Sequence, residues 1–446
     1  MSTHDTLSTA ALTADDLAHA TASMLTLMRD LFPMCRSITG PGTRSTLARI
    51  GQRIALRVTE VPTGTPVFDW QVPREWSIDD AYLEHESGRR FAEFKRSNLH
   101  VVSYSTPVDT VMPLSALRER LHTLPQHPGW IPWRSSYYRE DWGFCLAENE
   151  RLSMPDGEYR VVIRSQLHEG ALSYAEFVHA GETDEEVLVF AHTCHPSLCN
   201  DNLSGIAVAT ELASWLSRRR TRYTYRVLFA PATIGSITWL ALNQARLDRL
   251  RHGLVLAMLG DASTLKYHRT KHGKAEIDRA AACVLRGAAT PGELLDFSPW
   301  GFDERQFNMP GFGLPVGRLT RALPGGYPEE HTSADTLDLI RPDSMQGAWL
   351  AVLRIVEVLE GNRRHVNLAP HGEPQLGRRG LYRQSGGHYD NVPERHLALL
   401  WLLQLSDGEH SLLDIAERSG LEFGLLASCA SDLQRAALLA PAPPAA

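Results

Sequence analysis

At 446 residues the chain is longer than one ordinary core allows, so two or three domains are expected. A hydrophobic fraction of 43% and a charged fraction of 22% are those of a globular protein and exclude an intrinsically disordered one. The formal net charge of -7 supplies no general attraction for nucleic acid or for an anionic membrane surface.

The opening residues, MSTHDTLSTAALTADDLAHA, combine neither a basic start nor an apolar core, so no signal peptide is expected. No apolar run reaches membrane-spanning length. Six cysteines, at 35, 145, 194, 199, 283 and 429, are scattered rather than framed, which predicts reduced thiols and a cytoplasmic location.

Apolar residues at helical spacing predict a helix over 17–31, and a second follows over 45–54. Between them Arg36-Ser-Ile-Thr-Gly-Pro-Gly marks a structured loop, read equally well as a simple turn or as a wall of a site. From about 62 to 164 tryptophans, tyrosines and prolines crowd together, and short alternating runs at 99–104 and 158–163 predict strands. An inserted β-rich module is expected here, its aromatics forming a small core more readily than a ligand face.

From Ser173 the pattern becomes α/β. Strands are predicted at 174–179, 187–191, 225–230 and 254–259, with helices at 203–217, 234–244 and 344–359. Such alternation argues for a mostly parallel mixed sheet with helices on both faces. Its centre is the stretch 186–215: a continuous apolar run, then His192, Cys194, His195, Cys199 and Asp201, then Asp-Asn-x-Ser-Gly opening a helix. Ligands gather at such strand ends, and borderline cations take imidazole and carboxylate together. A lone His195 would be an ordinary loop or core residue, and Asp201 can also be read as a helix cap.

Asp261 follows a predicted strand, Asp303, Glu304 and Arg305 lie between proline-bounded segments, and His331 falls in the polar loop Tyr327-Pro-Glu-Glu-His-Thr-Ser-Ala-Asp. Each alone reads as a surface charge. A polar linker over 371–390 then precedes a module over 391–446 with three predicted amphipathic helices in helix-turn-helix outline. Between Pro393 and Ala440 that module holds three Arg against seven acidic residues, so a structural or protein-binding role is expected rather than nucleic-acid binding.

The order strand-His-x-Cys, Asp-Asn-x-Ser-Gly, Gly-Ser turn, strand-terminal Asp and late His resembles the zinc aminopeptidases of the bacterial leucyl aminopeptidase type. The segments at Arg36, His192, Asp303-Glu-Arg-Gln-Phe and Glu330-His-Thr-Ser are similar, more closely, to a branch associated with polysaccharide biosynthesis. Members of that branch combine an aminopeptidase-like core with an inserted β-rich domain and a terminal winged helix. The resemblance implies a core at 1–61 and 165–370, an insertion at 62–164 and a winged helix at 391–446.

It also implies His192, Asp201, Asp261 and His331 as zinc ligands. Aminopeptidases of this type carry acids before the Gly-Ser turn, where this chain has Ala232 and Thr233. The loss of one carboxylate arm favours one zinc over two. It leaves the proton acceptor to be found among Glu329, Glu330, Asp303 and Glu304, or else the site binds without hydrolysing. Cys194 stands where an aspartate would orient the metal-binding histidine. Arg305 or Arg321 is expected to pair with a substrate carboxylate. The expected partner is a small amide, peptide or aminoacyl conjugate, with a homo-oligomer left open and no membrane or nucleic-acid partner.

Overall fold

The apolar run at the centre of the sequence pattern forms the strand Glu186–His192, buried along its whole length. The computed structural model describes residues 9–288, 290–381 and 394–443. Thr224–Ala230 and Leu250–Leu256 flank the central strand in parallel, and Val316–Thr320 runs parallel beyond Leu250–Leu256. Antiparallel Ala171–His179 and Arg57–Pro62 extend one edge, and Lys266–His268 with Glu293–Leu295 extend the other. Among the described residues the sheet therefore has eight strands, parallel at the centre and mixed at the margins. A strand covered on both faces needs apolar residues at every position, which is why this run is continuous rather than alternating.

The helices fall close to their predicted places. Ala14–Leu31 opens with a capping box between Thr13 and Asp16, and Gly205–Leu216 packs beside it. The glycine of Asp-Asn-x-Ser-Gly answers a close approach: a Cβ on Gly205 would lie 2.3 Å from the carbonyl oxygen of Leu256. Gly40 meets two demands, a φ of 97° and a Cβ that would stand 2.1 Å from the Trp76 carbonyl oxygen.

On the strand Thr224–Ala230 Arg226 is 1% exposed, and it binds one buried acid from each neighbouring strand. Its Nη1 donates to Glu176 at 2.7 Å, while its Nε and Nη2 donate to Glu186 at 2.8 and 2.9 Å.

The inserted residues build a smaller antiparallel sheet around Glu75–His85 and Glu158–His168, with Val108–Pro113 and Arg90–Phe91 at its edges. It has its own core, including Leu83, Phe91, Phe144, Tyr159 and Ile163. Trp76 and Tyr104 instead join the apolar cluster of the large sheet. The strand predicted at 99–104 does not form. A short 3-10 turn, Asn98–His100, takes its first residues, Val101 and Ser103 make only isolated bridges, and Tyr104 closes the run at φ 72°, stacked on Trp76.

The chain divides into two compact units. One contains Thr13–Gly273 and Glu293–Trp349, and so holds both the large sheet and the inserted residues. The other takes Lys274–Gly292 and the chain from Leu350 on. The C-terminal boundary thus falls earlier than the linker at 371, because Arg364–Asn367 pairs with Asp407–Ser411 and Leu439–Pro441 in a three-stranded antiparallel sheet. Helices Glu394–Leu405, Leu412–Ser419 and Phe423–Arg435 complete the winged helix. Residues 382–390 of the expected linker and 391–393 of the expected module lie outside the described residues, as do 1–8 of the opening segment. No described helix is long and apolar enough to cross a membrane.

Candidate metal centre

His192 is the last residue of the central strand, opposite Ala230 at the carboxyl end of its neighbour. The chain then turns through Cys199–Ser204, a helical turn broken at Asp201, where φ is -108° and ψ is 87°. Side chains stitch this turn in place. The Asp335 carboxylate accepts the backbone N–H of Asn200 at 2.6 Å and of Asp201 at 3.0 Å, while Asn202 Nδ2 donates to the His192 carbonyl at 2.6 Å. Burial pushes the Asp335 carboxyl up to about 7, against those backbone donors.

Three imidazoles converge on the carboxylate so positioned. His192 Nε2 lies 2.8 Å from Asp201 Oδ1, and His331 and His195 bring Nε2 to 3.0 and 3.4 Å from Oδ2. Burial acts to raise the Asp201 pKa, yet His195 and His192 hold it well below the usual carboxylate range. Burial lowers His195 to about 4. It also acts to lower His331, but the hydrogen bond to Asp201 outweighs it and the pKa is raised. A tetrahedral zinc with bonds of about 2.0–2.1 Å spaces its donors by about 3.3 Å. His192, His195 and Asp201 form one group whose ligand atoms all lie within 4.8 Å of one another, close enough to share such an ion.

His331 and Asp201 form a second close group with Glu330, their ligand atoms all within 4.8 Å of one another. Burial raises the Glu330 pKa, and its Oε2 accepts the Gly325 N–H. Asp303 stands elsewhere, at the start of helix Ile234–Leu242, where its Oδ1 accepts Thr233 N–H at 2.7 Å and Ser236 Oγ–H at 2.5 Å. It thus brings a carboxylate from another loop to the turn that lacks its own acids. Burial raises the Asp303 pKa as well. Glu304 is engaged by Arg318 at 2.7 Å, both side chains buried, and the Glu329 carbonyl accepts the N–H and Oγ–H of Thr332.

Asp261 does not join the imidazoles. Its oxygens accept Asn200 Nδ2 at 2.9 Å and Ser263 N–H at 2.7 Å, and it belongs to neither ligand group among the described residues. Arg321 donates to three carbonyls, of Leu259, Ser263 and Ser344, so its guanidinium is a brace. Arg305 is held more loosely, by Gly301 O and Thr233 Oγ1, each at 3.5 Å.

His195 was legible as a neighbour of His192, yet its place in the cluster depends on how the turn folds. Cys194 Sγ sits 3.2 Å from His195 Nδ1, while His192 Nδ1 is buried without a hydrogen-bond partner among the described residues. The thiol therefore faces the second imidazole rather than the first. Burial keeps it protonated, with a pKa pushed up to about 12. The Arg36 loop also reaches this stretch: Arg36 is fully buried and its Nε donates to the His195 carbonyl at 2.8 Å. Phe302 stacks on His192 at 5.2 Å, and Trp133 of the insertion covers both other rings.

A family model described as a domain of unknown function, DUF4910, matches residues 25–362, and one described as winged helix-turn-helix matches 363–441. A Clostridium acetobutylicum protein named for polysaccharide biosynthesis and an aminopeptidase-like domain is 48% identical over 415 residues, 93% of this chain and 95% of its own. A crystal structure from Clostridium acetobutylicum, 44% identical, covers 96% of this chain and 98% of that one with a TM-score of 0.91. The zinc aminopeptidase BSAP of Bacillus subtilis, at 14% identity, covers 77% of this chain and 95% of that one with a TM-score of 0.58. At that identity the likeness establishes the fold alone.

Proposed function

The chain belongs to the DUF4910 family and has an aminopeptidase-like fold ending in a winged helix, and on that premise we propose that it is a zinc-dependent hydrolase. Its substrate class is a small amide, peptide or aminoacyl conjugate, handled in a biosynthetic pathway as the name of the Clostridium relative indicates for that protein. The observation that carries this reading is the convergence of His192, His195 and His331 on Asp201, with Glu330 beside them.

His192, His195 and Asp201 would hold a zinc, with His331 and Glu330 grouped on the same aspartate, and the ion would polarise a substrate carbonyl and ease deprotonation of water. The rest of the chemistry falls to the protein. Glu330 shares a ligand group with Asp201 and His331, its carboxyl raised by burial, and it would accept a proton from water and return it to a leaving amine. Asp303 holds the turn at Thr233 in place, the turn to which Ala232 and Thr233 bring no acid. Arg305, the less committed cation, would pair with a carboxylate on the substrate.

A second reading, binding without hydrolysis, is favoured by the neutral residues at 232 and 233. A panel of aminoacyl and peptide amides, assayed with zinc-loaded and chelated protein, separates the two. Hydrolysis is expected to need zinc, to disappear in His192→Ala and to fall 10²- to 10⁴-fold in Glu330→Gln. Activity surviving His192→Ala removes the hydrolase mechanism, and zinc uptake without turnover of any substrate supports the binding protein.

A further inference from the structure

Two of the three imidazoles are gripped from the side by one residue of the inserted module. The Trp133 ring centroid lies 4.5 Å from that of His195 and 4.7 Å from that of His331, with interplanar angles of 34° and 67°. The backbone around it is paired to the same loop. Trp133 N–H donates to the His331 carbonyl at 2.6 Å, Ser333 N–H donates to Ile131 O at 2.8 Å, and Ile131 N–H donates to Ser333 Oγ at 2.9 Å. Pro132 and Thr332 form an antiparallel bridge between them. This short ladder joins the insertion to the segment that carries a ligand.

The loop needs such a hold. His331 adopts φ 54°, a left-handed conformation unfavourable for a non-glycine residue, which persists only where its surroundings over-determine it. Its side chain is 40% exposed, against 9% for His195 and 0% for His192, so packing by the core alone leaves this ring the freest of the three. Trp133 is itself fixed within the insertion. Its Nε1–H donates to Ser103 Oγ at 3.2 Å, and Ser103 is bonded through its backbone to Arg134 and Ser136. Tyr137, from the same segment, reaches the Cys194 carbonyl at 3.5 Å.

We propose that Trp133 is a positioning residue of the metal centre: its indole keeps the His195 and His331 rings turned so that both Nε2 atoms face Asp201. The inserted module is then a working wall of the site, coupled to ion binding through residues 131–133. This rests on the reading of the two ligand groups that share Asp201 as a cation site. Groups that orient ligands in this way are typically worth 10- to 100-fold in metal affinity.

The test is zinc affinity of the full chain, read by competition with a chromophoric chelator. Trp133→Ala is expected to bind 10- to 100-fold more weakly, and Trp133→Phe, which keeps a ring face against both imidazoles, to recover most of the loss. Thermal unfolding of the metal-free proteins accompanies the titrations. Should Trp133→Ala fail to fold, cobalt(II) quenching of tryptophan fluorescence decides: the quench expected in the wild type shrinks in Trp133→Phe at unchanged stoichiometry. Equal zinc affinity in wild type and Trp133→Ala, or an undiminished quench in Trp133→Phe, overturns the role of Trp133 while leaving the cation site intact. A wild-type chain that takes up no divalent ion overturns both.

Discussion

Arg226 illustrates what a single buried charge demands of its neighbours. It lies between Glu176, 1% exposed, and Glu186, 4% exposed, and Trp239 Nε1 donates to the same Glu176 oxygen. Replacing the cation by a hydrocarbon of similar length takes three donors from two buried acids, which keep Arg57 on Glu176 and Arg246 on Glu186. Arg226→Met is therefore expected to lower stability by about 2–3 kcal/mol in urea unfolding, without touching the metal cluster. A loss below about 1 kcal/mol would mean that water or a relaxed sheet supplies the missing donors. Asp261 shows the opposite lesson about reading residues from sequence. An acid after an apolar run was expected to point into the crevice, but the strand ends at Leu256 and the Asn200 amide captures the carboxylate before it can face the imidazoles.

At the scale of elements, the strand-turn-helix of 186–216 was readable because each part has its own periodicity and the polar residues between them are dense in ligands. What could not be read was geometry that depends on distant partners. Nothing in the spacing pairs Trp133 with His331, or marks the 3-10 turn Asn98–His100 that displaces a promising strand. The turn after Thr224–Ala230 was likewise hidden. Thr233 adopts φ 62° and ψ -77° while Ile234 N–H donates to Ala232 O at 2.8 Å, a tight turn of a rare and strained kind for a β-branched residue. Asp303 holds it from the N–H of Thr233. Thr233→Gly should relieve that strain and raise stability by about 1 kcal/mol once the added freedom of the unfolded chain is subtracted. Chemical denaturation measures this, and a clear loss of stability would show that the threonine side chain contributes more than its backbone costs.

Over the whole molecule, pH gives a second handle on stability, away from the ligand cluster. His252 is 5% exposed, with Nε2 3.2 Å from the Tyr223 hydroxyl, and burial lowers its pKa from 6.5 to about 4. The folded chain keeps it neutral while the unfolded chain takes up a proton below 6.5, so its contribution is full above that pH and is lost as pH falls towards 4. The difference amounts to about 3 kcal/mol at the acid end, and His252→Gln is expected to flatten the fall in stability between pH 6.5 and 4. An unchanged slope would place the acid sensitivity elsewhere.

The account as a whole stands on one cation being shared by residues from two separate stretches of chain, 192–201 and 331. Equilibrium dialysis against zinc followed by elemental analysis tests this most directly. One zinc per chain is predicted for the wild type, with stoichiometric uptake lost in His192→Ala and in His331→Ala. Uptake unchanged in both variants, or none in the wild type, would contradict it.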